Sequence, residues 1–243
     1  MLRRILISLA ALLLIGIVAF VIVVRVVVFG GTPAIHHTNS PPLLVGSPCT
    51  TLSPSAGLRA FRINSQQSSA LYDAQFQVAG QTVPGMVSGE TGDVSGELLL
   101  TSDTNPTITS MRIVVDLRTL DSGAPERDDH VRNDTLETSK YPYAIFTVTD
   151  AQVLPGSYSE GQTVHFKLKG QLTLHGVTRS VTFNMQAELL GNVASGTGST
   201  LIHLQDYNMR TPMLTTTAPV TVSKDVTLMM QFVAQKENCT QLT

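Results

Sequence analysis

The side chains able to do chemistry in this chain are few and scattered. It has six histidines and two cysteines. His36 and His37 are adjacent, but a metal site needs several converging ligands, and no others accompany this pair. They read as part of a solvated stretch. Asp128-Asp129-His130 is the one acid–base cluster. Neighbouring residues on a helix splay apart, so these three would not converge unaided. The acids read as helix-start charges and His130 as a structural residue or lid contact. His165 and His203 sit among polar neighbours on alternating segments, and His175 sits at a turn, so all three are expected on the surface. Nothing marks a haem pocket. Gly-x-Ser-x-Gly is absent, and Cys49 and Cys239 lie too far out for a nucleophile paired with a base. Asn133-Asp134-Thr135 and Asn238-Cys239-Thr240 are formal glycosylation sequons and carry little weight. No catalytic residue, metal or cofactor is expected.

What remains is an apolar constellation: Tyr72, Phe76, Met111, Ile113, Val115, Phe146, Phe166, Phe183, Met185, Met230 and Phe232. Each alone reads as ordinary core. Collectively they are the candidate lining of an interior that could hold one slender hydrophobic ligand. Methionine suits a flexible ligand because its thioether adapts its shape. The chain has no Trp, and Gly and Ala fall at some inward positions, which leaves room. A buried lipid chain would gain roughly 0.8 kcal/mol per CH₂-sized group. Tyr72 could offer a hydroxyl to a headgroup.

The elements that carry these residues are strands. Val164 to Leu189 holds two runs of strict alternation joined at Gly176. Val164, Phe166, Leu168, Leu172 and Leu174 share one face of the first run. Val181, Phe183, Met185, Ala187 and Leu189 share one face of the second. Two such runs across a Gly turn read as an antiparallel hairpin. The same period recurs over Tyr72–Val78, Met111–Leu117, Ala144–Val148, Thr200–Leu204 and Val226–Ala234. Leu98 and Leu100 are expected to follow a turn at Gly89-Glu90-Thr91-Gly92. One helix is expected from Pro125 to about Thr138, with Pro in its first turn and acids at its start. Many half-apolar strands with one helix point to a barrel or a sandwich.

Three ordered motifs carry a resemblance. They are Gly170-Gln171-Leu172-Thr173-Leu174-His175-Gly176-Val177-Thr178-Arg179-Ser180-Val181-Thr182-Phe183; then Leu117-Arg118-Thr119-Leu120-Asp121-Ser122-Gly123, leading through Arg127-Asp128-Asp129-His130-Val131-Arg132 to Tyr141-Pro142 and Ile145-Phe146; and Asp206-Tyr207 before the last strand. Over about Leu58 to Gln235 the chain resembles the YceI-like lipid-binding family. The chain departs from the family pattern at Thr135-Leu136, where bulky aromatics are usual, and at Asn208, where Gly is frequent. Asn tolerates φ > 0, so the turn can survive. The resemblance implies a lipocalin-like closed antiparallel barrel of about eight strands. It also implies a polyisoprenoid or similar lipid inside, and the helix as a short lid or plug at one barrel end.

Around this domain, taken as residues 58–236, the sequence places three further regions. Residues 1–29 form a candidate signal anchor. Ile5 to Val24 is apolar and uncharged, long enough to cross a bilayer, with Arg3 and Arg4 on the cytoplasmic side. A cleaved signal peptide is the rival, but the run is long and lacks a small-x-small site. Residues 30–57 are a Pro/Ser/Thr-rich linker, and 237–243 a tail. The domain would then lie outside the cytoplasm on a single-pass tether. There Cys49 and Cys239, flanking the first and last strands of a closed barrel, are expected to pair. A net charge of -2 gives no reason to expect nucleic acid. The expected function is non-catalytic binding of a polyisoprenoid, quinone-like lipid or fatty acyl chain. The alternatives are a solidly packed interaction module, and an enzyme using Asp128, His130 or Asp206 at the barrel mouth.

Overall fold

The computed structural model describes residues 57–155, 158–211 and 220–237. The candidate anchor, the linker, the Cys49–Cys239 pair and the Asn238 sequon lie outside them. No helix among the described residues is long and apolar enough to cross a membrane.

The alternating runs become eleven strands: β1 (Leu58–Ile63), β2 (Ser69–Val78), β3 (Gly85–Thr91), β4 (Val94–Thr101), β5 (Thr107–Asp116), β6 (Tyr143–Val148), β7 (Gln152–Val153), β8 (Val164–Leu174), β9 (Val177–Leu190), β10 (Val193–His203) and β11 (Val220–Lys236). All pairs are antiparallel, in the order β1-β4-β5-β6-β8-β9-β10-β11, and a β1–β11 pairing closes the ring. Strand β2 continues along β11 where β1 leaves it, and β3 continues beyond β4 beside β2. Each of these pairs acts as one long bent strand, so the barrel has eight staves.

This continuity corrects the expected turn at Gly89–Gly92. Gly89 and Glu90 pair with Tyr72 and Leu71 inside the sheet. The chain bends at Gly92-Asp93 without reversing, and Glu90 bridges Asp121 beyond the end of β5. Strand β10 also begins earlier than its apolar pattern suggested, because Gly196 and Gly198 carry no side chain to mark an inward face. Leu204 falls just beyond it, in a short turn over Leu204–Tyr207.

The β8–β9 hairpin pairs as read, Leu168 with Phe183 and Leu174 with Val177. Its two-residue turn puts His175 at φ +51° and Gly176 at φ +73°, the left-handed pair that matches strand twist. Asn208 ends the Leu204–Tyr207 turn at φ +57°, as an Asn can. The helix α1 (Pro125–His130) is shorter than expected. It widens over Val131–Thr135 into a π-turn, with the Leu136 amide donating to the Val131 carbonyl at 2.9 Å. Glu137, at φ +46°, ends the segment.

Candidate binding cavity

The inward faces do not fill the barrel. They enclose a cavity of about 330 Å³. Four inward glycines explain part of the space. A Cβ at Gly85 or Gly89 would collide with the Phe76 or Tyr72 ring, and one at Gly170 would stand 2.5 Å from Phe146. At Gly198 it would stand 2.5 Å from Met185 Sδ. The large side chains therefore lie flat on bare backbone, against the wall, and the centre stays open. Ala70, Ala74 and Ala144 add width.

Ten of the eleven candidate residues line this cavity: Tyr72, Phe76, Met111, Ile113, Val115, Phe146, Phe183, Met185, Met230 and Phe232. Phe146 meets Phe183 edge to face at 4.9 Å, a favourable aromatic arrangement. Phe166 is not in the lining; it packs against the core, half-buried, opposite Met185. Alternation assigns Phe166 a face but not its depth along the barrel.

The helical plug supplies wall that strand patterning missed. Arg127, Val131 and Thr135, each four residues apart, all face the cavity, with Leu136 beside them. Their spacing is a helical stripe; its polar ends hid it from an apolar search. Thr135 is buried, and its hydroxyl has no hydrogen-bond partner among the described residues. Arg127 donates through Nε to Ser122 Oγ at 2.8 Å and through Nη2 to the Ser122 carbonyl at 2.8 Å. The Tyr72 hydroxyl lies beside Ser122, Arg127 and Asp128. Burial, reinforced by the Asp128 charge, pushes its pKa above the ordinary tyrosine value.

Asp128 is more than a helix-start charge. It is buried, and its carboxylate accepts from the Ser122 amide at 3.0 Å and from the Ser122 hydroxyl. It thereby ties the plug to the β5–α1 loop. His130 is exposed and bonds Asp134 at 2.7 Å. Asp206 is exposed, and its backbone carbonyl takes a bond from Arg179 Nε at 3.0 Å. Asp128, His130 and Asp206 share no hydrogen bond with one another among the described residues. His165 is exposed, and His203 is exposed and paired with Asp225 at 2.5 Å. His175 departs from expectation: its side chain is 9 % exposed. Its ring meets Tyr141 at 4.4 Å, tilted by 56°, and its Nδ1 lies 3.1 Å from the Tyr207 carbonyl. The positive-φ turn folds the ring under these neighbours. No group of three His, Cys, Asp or Glu among the described residues could hold a metal.

A closed up-and-down barrel around one apolar hollow defines the class: antiparallel barrels whose interior is a chamber and not a packed core. Within that class the chain belongs to the YceI-like family, whose sequence pattern matches residues 61–234. Protein YceI of Escherichia coli O157:H7 is 30% identical over 141 residues, 54% of this chain and 66% of that protein, just under two thirds of its length. Protein YceI of Shigella flexneri matches to the same extent. Among solved structures, a polyisoprenoid binding domain from Saccharophagus degradans, implicated in plant cell wall breakdown, superposes with a TM-score of 0.56 at 15% identity. It covers 73% of this chain and 98% of that one. BcnA of Burkholderia cenocepacia gives 0.54 at 18% identity, covering 71% and 99%. At such identities the structural likeness is one of fold.

Proposed function

We propose that this protein binds a hydrophobic chain inside the barrel, reversibly and without catalysis. The ligand class is a polyisoprenoid, a quinone-like lipid or a fatty acyl chain. The observation that carries the reading is the cavity itself: about 330 Å³, walled by aliphatic, aromatic and thioether side chains, with one charged residue in its described lining. A hollow of that kind excludes water from apolar wall and gains free energy when a chain fills it. The polyisoprenoid-binding relative from Saccharophagus degradans supports the same reading. The ten lining residues named above are the proposed contacts. The packed interaction module is the weaker reading, because it needs a filled interior.

The finer proposal is a tether: the Ile5–Val24 run holds the barrel at a membrane surface on the extracytoplasmic side. Native mass spectrometry followed by organic extraction tests the binding. The expected result is a co-purifying hydrophobic mass. A clean apo mass, unchanged after incubation with isoprenoids and fatty acids, overturns it. An alkaline carbonate wash of membranes tests the tether: release of the full chain into the wash refutes it.

A further inference from the structure

Arg127 is the single charged side chain among the described residues of the cavity wall. It is half-buried, and no carboxylate lies within 4.0 Å of its guanidinium among the described residues. Its two protein bonds both go to Ser122 oxygens, a hydroxyl and a backbone carbonyl. Neither neutralises a cation. Among the described residues no hydrogen bond engages Nη1. A partly desolvated, unpaired guanidinium facing an apolar chamber is costly, and a matching anion relieves the cost.

One competing anion is Asp128. It lies one residue on and is not part of the cavity wall. Its carboxylate is already engaged by the Ser122 amide and hydroxyl. Ser122 thus separates the two charges: it accepts from Arg127 and donates to Asp128. Arg127 is left fixed by two bonds, with spare donors. The Tyr72 hydroxyl stands beside it, its ring flat on Gly89.

We infer that the cavity selects a lipid with an anionic, oxygen-bearing headgroup, a carboxylate or a phosphate, held at the helical plug by the Arg127 guanidinium with the Tyr72 hydroxyl as second donor. The tail runs away from the plug into the apolar chamber. Arg127 is a specificity determinant: it fixes which end of the lipid meets the plug. This rests on the proposed function, since a headgroup site needs a bound chain.

The test uses the full chain, with displacement of the neutral dye Nile red as readout. Three probes share one tail: dodecanoate, dodecyl phosphate and neutral dodecanol. The expected result is that at least one anion binds about tenfold tighter than dodecanol, the scale of one charge-assisted hydrogen bond. The preferred anion names the headgroup. In Arg127→Gln the ratio of anion to dodecanol affinity collapses to within about twofold. Arg127→Lys keeps a charge but loses the fork, and retains part of the preference. If dodecanol binds wild-type protein as tightly as the anions, or if Arg127→Gln keeps the preference, the headgroup inference is overturned and the lipid-binding barrel stands. If none of the probes binds and Nile red is not taken up, both fall. Should Arg127→Gln fail to fold, the wild-type ranking still decides.

Discussion

Gly198→Ala is the sharpest probe of how the chamber is kept open. Gly198 lies on β10 opposite Met185 and Met230 and is itself part of the wall. A Cβ there would stand 2.5 Å from Met185 Sδ, 3.1 Å from its Cε and 3.5 Å from Phe183 Cδ1. Ordinary non-bonded separation is about 3.5–4.0 Å, so the thioether must retreat by about 1 Å. The new methyl stands against the wall, so the direction left to the thioether is the cavity. Moving a thioether inward removes room for about one or two CH₂ groups of ligand. At about 0.8 kcal/mol each, affinity for a fluorescent fatty acid such as parinaric acid should fall about 4- to 15-fold. Stability should hardly move, because Met185 is flexible and replacing Gly in a strand recovers about 0.5–1 kcal/mol. Fluorescence titration and urea melts read the two quantities separately. Unchanged or tighter binding at wild-type stability would refute the reasoning. Gly170→Ala is the control. Its Cβ would meet not only the Phe146 ring but the Thr147 backbone carbonyl at 2.5 Å. Backbone cannot step aside, so this variant should lose about 1–3 kcal/mol of stability.

Three further outcomes follow from buried polar groups. Thr135→Val replaces a buried hydroxyl that has no partner among the described residues. The apo protein should gain about 1 kcal/mol in urea melts, and a loss would show that the hydroxyl is satisfied after all. The Asp116 carboxylate is buried and accepts from Arg118 N at 2.9 Å, Nε at 3.0 Å and Nη2 at 2.6 Å. Asp116→Ala should cost about 2–3 kcal/mol, and a neutral result would refute the anchoring role. Tyr207 is buried, its hydroxyl has no partner among the described residues, and burial followed by the Asp206 charge pushes its pKa up to about 12. The unfolded value is about 10. The folded state therefore favours the neutral phenol. The stability this contributes is complete below pH about 10 and is lost as pH rises toward about 12. Tyr207→Phe should flatten that alkaline loss in melts across the window; an equal loss in both proteins would count against it.

Much of this architecture was legible from period alone. Val164 to Leu189 pairs as its alternation requires, because a one-residue slip would turn every apolar side chain to water. The inward assignment of Tyr72, Met111, Phe146, Phe183 and Met230 follows from the same parity. Gly89 was misread as a turn because Gly is a turn signal when its partner is unknown; here it is the flat seat of Tyr72. Gly196 and Gly198 hid half of β10 for the same reason: a missing side chain has no parity.

The sequence by itself determined which faces turn inward and that one short helix interrupts the strands. Those properties are local, set by spacing along a single chain. Closure, the hollow and the cation in its described wall were decided only in three dimensions. The barrel closes because Ala234 on β11 reaches Ile63 on β1, a pairing across most of the domain. The cavity exists because rings from one strand lie on glycines of another. Arg127 reaches that cavity on a helical segment that follows β5, and among the described residues its guanidinium bonds Ser122 and no carboxylate. None of these is a property of one segment: each is a distance between segments, and only the folded chain sets it.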